Sequence, residues 1–389
     1  MAVSKERYIA RRDEVRLAQA LQRSPATAIL GPRQCGKSTL AREFLRGKDA
    51  VFLDLQNRTD RNKLNEPELF FDEYRSQLIC LDEIQQIPEF FSVLRSEIDK
   101  DRRAGRFLLL GSASRDLLRQ SNETLAGRIS LLELTPFLYQ EIQAIKSQRD
   151  HWLRGGFPQS LLAADDANSF AWREDFISTF LERDIPALGF SIPAPVFARL
   201  WRILAHYHGQ TLNYSKVAQA AGLAVKTLKQ YLYILQQTYM IRLLAPMENN
   251  LKKRLIKSPK LYLRDSGIAH NLLDIDTYAD LLGSPYIGAS WEGYSIENVL
   301  SLFPRWRPSY VRTANGAEVD LVLERAGKRL FFEFKASKSP TASRGFYQLL
   351  QAFKPDFCWL VAPVEDSYPY SEAIRVANVH HLQQWCAQH

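Results

Sequence analysis

The chain has 389 residues, of which 46% are hydrophobic and 24% are charged, and its formal net charge is +8. This length exceeds one ordinary core and predicts two or three domains. No stretch approaches the ~20 apolar residues of a membrane-spanning helix, and the charged N-terminus lacks the apolar segment of a secretory signal. The four cysteines form no CxxC pair, which argues against a zinc ribbon or a disulfide framework. We therefore expect a cytoplasmic protein without membrane contact, and the positive charge favours an anionic partner such as nucleic acid.

The chain changes its apolar pattern twice, which predicts an α/β multidomain fold. Short β-rich runs alternate with helical stretches in the first part, as expected of a parallel sheet. These runs are Ala26–Leu30, Val51–Leu55, Leu78–Leu81, Phe107–Leu110 and Ile129–Leu134. Apolar spacing is mostly helical from about 151 to 240, and β-type alternation returns from about 285. We expect domains at 1–150, 151–265 and 266–389.

A complete G-x-x-x-x-G-K-S pattern, the Walker A or P-loop motif, follows the first β-rich run. Two glycines let the backbone curl so that its N–H groups point at a phosphate, and the following helix adds its positive end. Lys37 is expected to reach the β- and γ-phosphates of ATP, and the Ser38 hydroxyl to bind Mg²⁺. The predicted nucleotide-binding residues of this segment are Gly31, Pro32, Arg33, Gln34, Cys35, Gly36, Lys37, Ser38 and Thr39.

An acidic pair of the Walker B type, Asp82-Glu83, follows the apolar run Leu78–Leu81. In open α/β sheets, ligands bind at the carboxyl ends of the strands. Asp82 is therefore predicted to hold Mg²⁺, and Glu83 to polarise the attacking water as the catalytic residue.

Two further polar residues are candidates for the nucleotide site. Ser112 ends the apolar run Phe107–Leu110, where a hydroxyl can sense the γ-phosphate or position the water, although a plain Gly-Ser turn explains it equally well. Arg128 is interpreted as a phosphate-sensing arginine or as an ordinary surface charge.

The segments GPRQCGKSTL, LICLDEIQQIP, FLLLGSAS and LAGR together resemble a prokaryotic AAA+ ATPase family that joins an N-terminal ATPase to a C-terminal domain of unknown function. The resemblance extends to Leu181–Ile185 and to Ser258–Tyr262. It implies a sheet of strand order 5-1-4-3-2 with the phosphate loop after the first strand. The pair Arg183-Asp184 is interpreted as a structural salt bridge, or as a phosphate contact from a neighbouring subunit of a homo-oligomer.

The middle segment 214–236 shows the spacing of two short helices that meet at Gly222, which is typical of a helix-turn-helix. Asparagine and basic residues further on predict the turn of a hairpin wing, so we interpret the segment as a winged helix. The candidate DNA-phosphate contacts are Lys226, Lys229, Lys252, Lys253 and Arg254. The alternative is a structural spacer or a lid on the ATPase.

Two strands joined by a tight turn are predicted in the C-terminal segment. If Ala326-Gly327 is a two-residue turn, Arg325 pairs with Lys328 and Asp320 falls opposite Glu333. Directly opposed side chains lie only ~5 Å apart at Cβ, so two carboxylates repel unless a cation lies between them. A bulge at Gly327 would shift this register by one residue.

The pattern Glu…Asp…Glu-x-Lys in this segment resembles the PD-(D/E)XK nuclease superfamily. The resemblance implies that Asp320 and Glu333 bind Mg²⁺ or Mn²⁺, that Lys335 is the catalytic lysine and that Glu297 is the catalytic acid on a helix. Gln348 matches the accessory glutamine of that superfamily loosely. The alternatives are an exposed hairpin of alternating charges or an inactive relic of the nuclease fold.

Three functions are compatible with these motifs. The first is an Mg²⁺-dependent ATPase that controls DNA binding and cleavage, with the tail acting as an endo- or exonuclease. The second is an ATP-dependent switch that binds DNA or a protein partner with a catalytically inactive nuclease-like domain. The third is a DNA-binding regulator, which leaves the hydrolytic Glu83 unexplained.

Overall fold

The computed structural model of the chain describes residues 8–87, 90–112, 125, 127–248 and 255–388. The chain divides into two compact units. The first runs to Phe137 and includes Gln237–Tyr239, and the second comprises Leu138–Gln236 and the chain from Met240 onward. The second unit therefore contains both the middle and the C-terminal segments, and the domain limits at 150 and 265 stay predictions.

Five strands build a parallel sheet in the first unit. They are β1 (Ala26–Leu30), β2 (Ala50–Asp54), β3 (Leu78–Asp82), β4 (Phe107–Gly111) and β5 (Ile129–Glu133). The strand order is β2-β3-β4-β1-β5, and every neighbouring pair is parallel. This confirms the predicted strands and the order that the AAA+ resemblance implies. The strands β1 and β4 are buried along their whole length and are mostly apolar, as expected of a parallel sheet that is covered on both faces.

Helices connect these strands. Those described are α1 (Asp13–Arg23), α2 (Lys37–Leu45), α3 (Arg58–Asn62), α4 (Pro67–Glu73) and α5 (Phe90–Lys100). A short 3₁₀ turn, Ile84–Gln86, follows β3. The apolar face of α5 packs against the sheet through Phe91, Leu94 and Ile98. These residues are spaced by about one and two helical turns and therefore lie on one side of the helix.

The second unit begins with a helical part. Its helices are α6 (Tyr139–Ile142), α7 (Gln148–Arg154), α8 (Pro158–Leu161), α9 (Asp166–Thr179), α10 (Ile185–Ala187), α11 (Ala194–His206), α12 (Tyr214–Ala221) and α13 (Val225–Gln237). A π-helical turn, Phe180–Asp184, follows α9. Helices α12 and α13 meet at Gly222, as the sequence predicts, and their apolar residues Val217, Leu228 and Leu232 are buried.

A small antiparallel sheet is formed by one strand before α12 and two strands after α13. It consists of β6 (Gln210–Thr211), β7 (Ile241–Leu244) and β8 (Lys260–Leu263) in the order β6-β8-β7. The connection between β7 and β8 contains the residues for which a wing turn is predicted. Its described ends form isolated bridges, Pro246 with Tyr310 of the strand β9 (Arg307–Arg312) and Leu255 with Thr313 directly after that strand.

A six-stranded mixed sheet forms the C-terminal part of the second unit. Besides β9 it contains β10 (Glu318–Arg325), β11 (Lys328–Phe334), β12 (Phe357–Val361), β13 (Tyr368–Pro369) and β14 (Arg375–Ala377), in the order β13-β14-β12-β11-β10-β9. The helices of this part are α14 (Ser266–Leu272), α15 (Tyr278–Gly283), α16 (Ile287–Leu302), α17 (Arg344–Phe353) and α18 (Val379–Gln388). Alternate residues of β10 pack on opposite sides, with Leu321 and Leu323 toward α16 and Val322 toward α17.

The hairpin of β10 and β11 has the predicted register. Ala326 and Gly327 both have positive φ, 50° and 80°. Positive φ at both central residues is typical of the two-residue hairpin turn whose twist matches that of the flanking strands. Arg325 pairs with Lys328, and the ladder continues to Leu321 opposite Phe332. Continued by one residue, this register sets Asp320 against Glu333.

Within the described part of the chain, no helix combines the length and the apolar character that crossing a membrane requires.

Candidate functional site

The phosphate loop connects β1 to α2 in a tightly curled conformation. Gly36 has a φ of 99° and directly precedes the first residue of α2, Lys37. Gly31 passes against β5, and a Cβ atom there would lie 2.1 Å from the carbonyl oxygen of Leu134. Glycine is therefore required at position 31 by packing, in addition to the curl that the phosphate needs.

Lys37 lies inside this loop and is 5% exposed. Its ammonium donates to the carbonyl oxygens of Pro32 at 2.8 Å and Gly31 at 3.1 Å. The other predicted loop residues occupy the same curl. Among them the Cys35 thiol is buried and donates to Leu134 O, and burial raises the pKa of this thiol. The cysteine thus has a packing role in the loop.

Asp82 ends β3 beside the beginning of α2. Burial raises the pKa of its carboxyl group, and a hydrogen bond with the Ser38 side chain opposes this effect. Two further carboxylates, those of Glu83 and Asp54, also raise the pKa of Asp82. Asp54 pairs with Asp82 across β2 and β3. Three acids therefore lie near one another at this edge of the sheet.

Glu83 directly follows β3 with left-handed backbone, φ 56°. For a residue other than glycine this conformation costs free energy and is concentrated at functional sites. The Glu83 carboxylate accepts hydrogen bonds from the Ser112 hydroxyl, at 2.9 and 3.0 Å, and from the Gln85 amide. Ser112 follows β4, which lies next to β3, so parallel-strand geometry brings the two predicted residues together.

Arg11, which was not predicted from the sequence, lies just before α1 and contacts the phosphate loop. Its guanidinium donates to Cys35 O at 3.0 Å and to Thr135 O at 2.6 Å, and it lies 4.7 Å from the centre of the Phe137 ring. At 5% exposure the arginine is a buried part of the loop's support. It stands twenty positions before the first glycine of the motif, so no local pattern could have identified it.

The structure does not bring Arg128 to the phosphate loop, which favours the alternative interpretation of this residue as an ordinary surface charge. Arg128 precedes β5, and its carbonyl oxygen accepts from Ala26 N at the start of β1. The phosphate loop follows the other end of β1, about 16 Å away at 3.3 Å per residue. The Arg128 guanidinium instead holds both carboxylate oxygens of Asp99, at 2.8 and 2.9 Å.

The predicted DNA-contact residues of the second helix lie on an exposed face. Lys226 and Lys229 are exposed on α13, and Tyr233, one turn further, is 43% exposed. The Lys229 ammonium lies 5.3 Å from the centre of the Tyr214 ring. The three predicted wing residues, Lys252, Lys253 and Arg254, lie outside the described residues.

Asp320, Glu333 and Lys335 come together in the C-terminal sheet, as predicted. The Lys335 ammonium pairs with Glu333 Oε1 at 2.7 Å, and Asp320 Oδ2 accepts from Phe334 N at 3.0 Å. Glu333 is 4% exposed, and burial raises the pKa of its carboxyl group. Gln348 is exposed on α17.

Glu297 does not join this group. Its carboxylate is held by Arg242, at 2.5 and 2.9 Å, and by Arg264, at 2.9 and 3.0 Å. Burial alone would raise the pKa of Glu297, but the two arginines outweigh it and lower the pKa to about 2. The residue is bound as an ion-pair partner, which corrects its assignment as the helix acid.

Glu292 and Lys260, both missed from the sequence, take part in the group instead. Glu292 lies on α16 five positions before Glu297, a rotation of about 140° around the helix axis. The Lys260 ammonium lies 2.8 Å from Glu292 Oε1, 2.5 Å from Glu318 Oε1 and 3.3 Å from Asp320 Oδ1. Lys260 is 2% exposed on β8. A lysine among apolar strand residues, as in Lys260-Leu261-Tyr262, is the one local signal of such a buried partner.

The described residues contain no group of three or more histidine, cysteine, aspartate or glutamate side chains arranged to hold a metal ion. The assignment of Asp320 and Glu333 as a metal pair therefore gains no support from this arrangement.

Three domain families match the chain in sequence. Residues 23–143 match an AAA domain, residues 145–279 match a domain of unknown function (DUF8612), and residues 287–382 match another domain of unknown function (DUF4143). The AAA match supports ATP binding and hydrolysis by the first unit. No nuclease family is among the matched families.

Two mycobacterial proteins are similar along most of the chain. They are the uncharacterized proteins Rv2008c of Mycobacterium tuberculosis and Mb2031c of Mycobacterium bovis. Each is 40% identical over 367 residues, which cover 94% of this chain and 83% of the relative. A solved structure, the Walker-type ATPase PABY2304 of Pyrococcus abyssi, is 16% identical with a TM-score of 0.47 and covers 69% of this chain and 97% of that one. The chain belongs to the family of these two mycobacterial proteins, and it carries an AAA domain followed by two domains of unknown function.

Proposed function

We propose that the protein is an Mg²⁺-dependent ATPase whose nucleotide state controls DNA binding by the helix-turn-helix segment α12–α13. The observation that carries the ATPase part is the convergence of Lys37, Asp82 and Glu83 at the carboxyl edge of one parallel sheet. Sequence-distant groups with complementary roles rarely meet at a ligand-binding edge without a shared ligand.

The residues around Asp82 fit a hydrated cation. Asp82 Oδ1 is buried and has no hydrogen-bond partner among the described residues, which leaves an acceptor for a donor such as metal-bound water. Ser38 and Asp82 would hold the ion, and Asp54 adds charge beside them. When bound, Mg²⁺ supplies charge neutralisation for the β- and γ-phosphates.

The chain's own groups then have separate tasks. Backbone N–H groups of the loop and the Lys37 ammonium bind the phosphates. To do so, the ammonium gives up its hydrogen bonds to the carbonyl oxygens of Gly31 and Pro32 and donates to phosphate oxygens instead. The Glu83 carboxylate orients the attacking water and accepts its proton. For this it leaves the hydrogen bonds to Ser112 and Gln85, so the Ser112 hydroxyl becomes available to the γ-phosphate.

The DNA-binding part rests on the exposed face of α13. Lys226, Lys229 and Tyr233 recur at helical spacing and present two ammonium groups and an aromatic ring on one side. Ammonium groups on an exposed helix suit phosphate contacts, and the net charge of +8 supports an anionic partner. The antiparallel pairing of β7 and β8 after this helix supports the interpretation as a winged helix.

Cleavage of nucleic acid is not part of this proposal. The two acids predicted to hold the metal already pair with ammonium groups, Asp320 with the buried Lys260 and Glu333 with Lys335. We favour the second interpretation of the sequence, a switch whose nuclease-like part is inactive.

The ATPase part is tested with two variants of the site. Lys37→Ala should lose ATP binding, because the phosphates lose their cation. Glu83→Gln should bind ATP normally but hydrolyse it about 100-fold more slowly, because the water loses its base. ATP binding by calorimetry and phosphate release measure the two effects.

Glu73→Gln is the matched control, since Glu73 is an exposed glutamate at the end of α4. Its turnover should equal that of the unaltered protein. Normal hydrolysis by Glu83→Gln would contradict the role of Glu83.

A further inference from the structure

We propose that Lys260 is a built-in cation: its ammonium occupies the position at which the nuclease-like site would otherwise hold a divalent metal ion. The acidic cluster is defined as Glu292, Glu318, Asp320 and Glu333. Lys260 contributes a fixed positive charge to this cluster, so the C-terminal site is complete without metal.

Three elements meet at the Lys260 ammonium. It comes from β8, while Glu292 comes from α16 and both Glu318 and Asp320 come from β10. The three N–O distances lie between 2.5 and 3.3 Å. Two of these contacts are hydrogen bonds, to Glu292 and Asp320, and the third is an ion pair with Glu318. The three carboxylates match in number the three N–H donors of an ammonium.

Few oxygens of the cluster remain for a metal. Asp320 Oδ1 faces Lys260, and Asp320 Oδ2 accepts from the backbone of Phe334. Glu292 Oε1 accepts from both Lys260 and the Tyr262 hydroxyl. Glu333 Oε1 pairs with Lys335. Two carboxylate oxygens, Glu318 Oε1 and Glu333 Oε2, are buried without a hydrogen-bond partner among the described residues. Glu318 Oε1 lies 2.5 Å from the Lys260 ammonium, so the ammonium stands where an octahedral Mg²⁺ and its waters would need space.

The charges of the cluster also argue against a bound metal ion. A buried ammonium without partners is costly, so Lys260 depends on these carboxylates. A divalent ion at the same place would be repelled by the ammonium and would have to compete for its oxygens. Because Lys260 is 2% exposed and its neighbours Leu261 and Tyr262 are fully buried, the strand is fixed and the ammonium stays in the cluster.

The test removes this ammonium and measures metal binding to the full-length chain. All proteins carry Asp82→Asn, so that the ATP site does not contribute a metal ligand. Lys260→Met keeps a similar side-chain length without the charge and should gain one Mn²⁺ per chain, seen by calorimetry and by the electron paramagnetic resonance of bound Mn²⁺. The parent with Lys260 should bind no Mn²⁺ in the C-terminal unit. Adding Asp320→Asn to Lys260→Met should abolish the gained site.

Lys335→Met is the matched control, because it removes the other ammonium of the group and changes the net charge equally. It should gain no Mn²⁺, since Lys260 still fills the cluster. Three results would overturn the proposal: Mn²⁺ binding by the parent that Asp320→Asn removes, no gain in folded Lys260→Met, or an equal gain in Lys335→Met.

Loss of the buried Lys260 charge is also expected to change how folding of the chain depends on metal. If Lys260→Met and Lys260→Gln are both unfolded without metal, Mn²⁺ should restore folding, because the ion replaces the missing cation and binds only the folded chain. Failure of Mn²⁺ to restore either variant would then count against the proposal.

Discussion

At the scale of single residues, Glu297 shows how two positive charges are held inside the second unit. Its carboxylate is shared by Arg242 and Arg264, whose side chains are 23% and 10% exposed. Breaking such a buried pair leaves charges that water reaches poorly, which costs more than the pair itself contributes. The ion cluster ties β7 and the segment after β8 to α16.

Glu297→Gln should therefore destabilise the second unit by about 3 kcal/mol near neutral pH. Its pKa is lowered from 4.5 to about 2, so the stabilisation is fully present above the unfolded value and is lost as the pH falls toward the folded one. The difference between the variant and the unaltered protein should shrink as the pH falls below 4.5.

Urea unfolding followed by tryptophan fluorescence measures this effect in one unit alone, since all seven tryptophans lie at Trp152 or later. The matched control is Glu324→Gln. Glu324 also contacts two arginines, Arg307 and Arg329, but these are 60% and 39% exposed. We expect about 1 kcal/mol or less for the control. Equal losses in both variants would show that the buried cluster carries no special stability.

At the scale of secondary-structure elements, predictions from sequence succeeded where the decisive contacts were local. The phosphate loop and the turn at Ala326-Gly327 lie within a few residues of their signals, so their geometry could be predicted. Arg128 was not placed correctly from sequence, because the motif in which it lies does not show that it precedes β5 and so stands at the end of the sheet away from the phosphate loop. Glu297 failed because helical character alone does not fix which side of α16 meets the acids.

Contacts between distant segments could not be predicted in this way. Lys260 reaches Glu292, Glu318 and Asp320 across three separate elements. Arg11, which precedes α1, contacts both the phosphate loop at Cys35 and the segment after β5 at Thr135. Such positions depend on tertiary packing, which single-sequence periodicity does not contain.

The exposed face of α13 gives a prediction for DNA binding at this scale. Reversing both charges with Lys226→Glu and Lys229→Glu should weaken binding and reduce the slope of log K against log salt by about 2, because two fewer phosphates are neutralised. Fluorescence anisotropy of a labelled duplex at several salt concentrations measures both quantities.

The control makes the same change in net charge elsewhere, with Lys328→Glu and Lys338→Glu, which alter exposed lysines outside the helix-turn-helix segment. It should bind DNA with nearly the original slope. If both double variants behave alike, DNA binding reflects overall charge, and α13 is better explained as a spacer or as a site for a protein partner.

At the scale of the whole molecule, the chain combines an AAA domain with two domains of unknown function. An ATPase domain performs useful work only if its nucleotide state changes what another part binds. That coupling is a free energy between two sites, and it is reciprocal for binding. A switch of this kind needs a different affinity for its partner in the ATP and ADP states.

The most direct test of this account is the affinity for duplex DNA of the Glu83→Gln variant with ATP and with ADP. This variant should retain ATP without consuming it during the measurement. We predict that the two dissociation constants differ by at least about fivefold, the lower range of coupling between sites in allosteric proteins. Equal dissociation constants with saturating ATP and ADP would contradict the central claim that nucleotide state controls DNA binding.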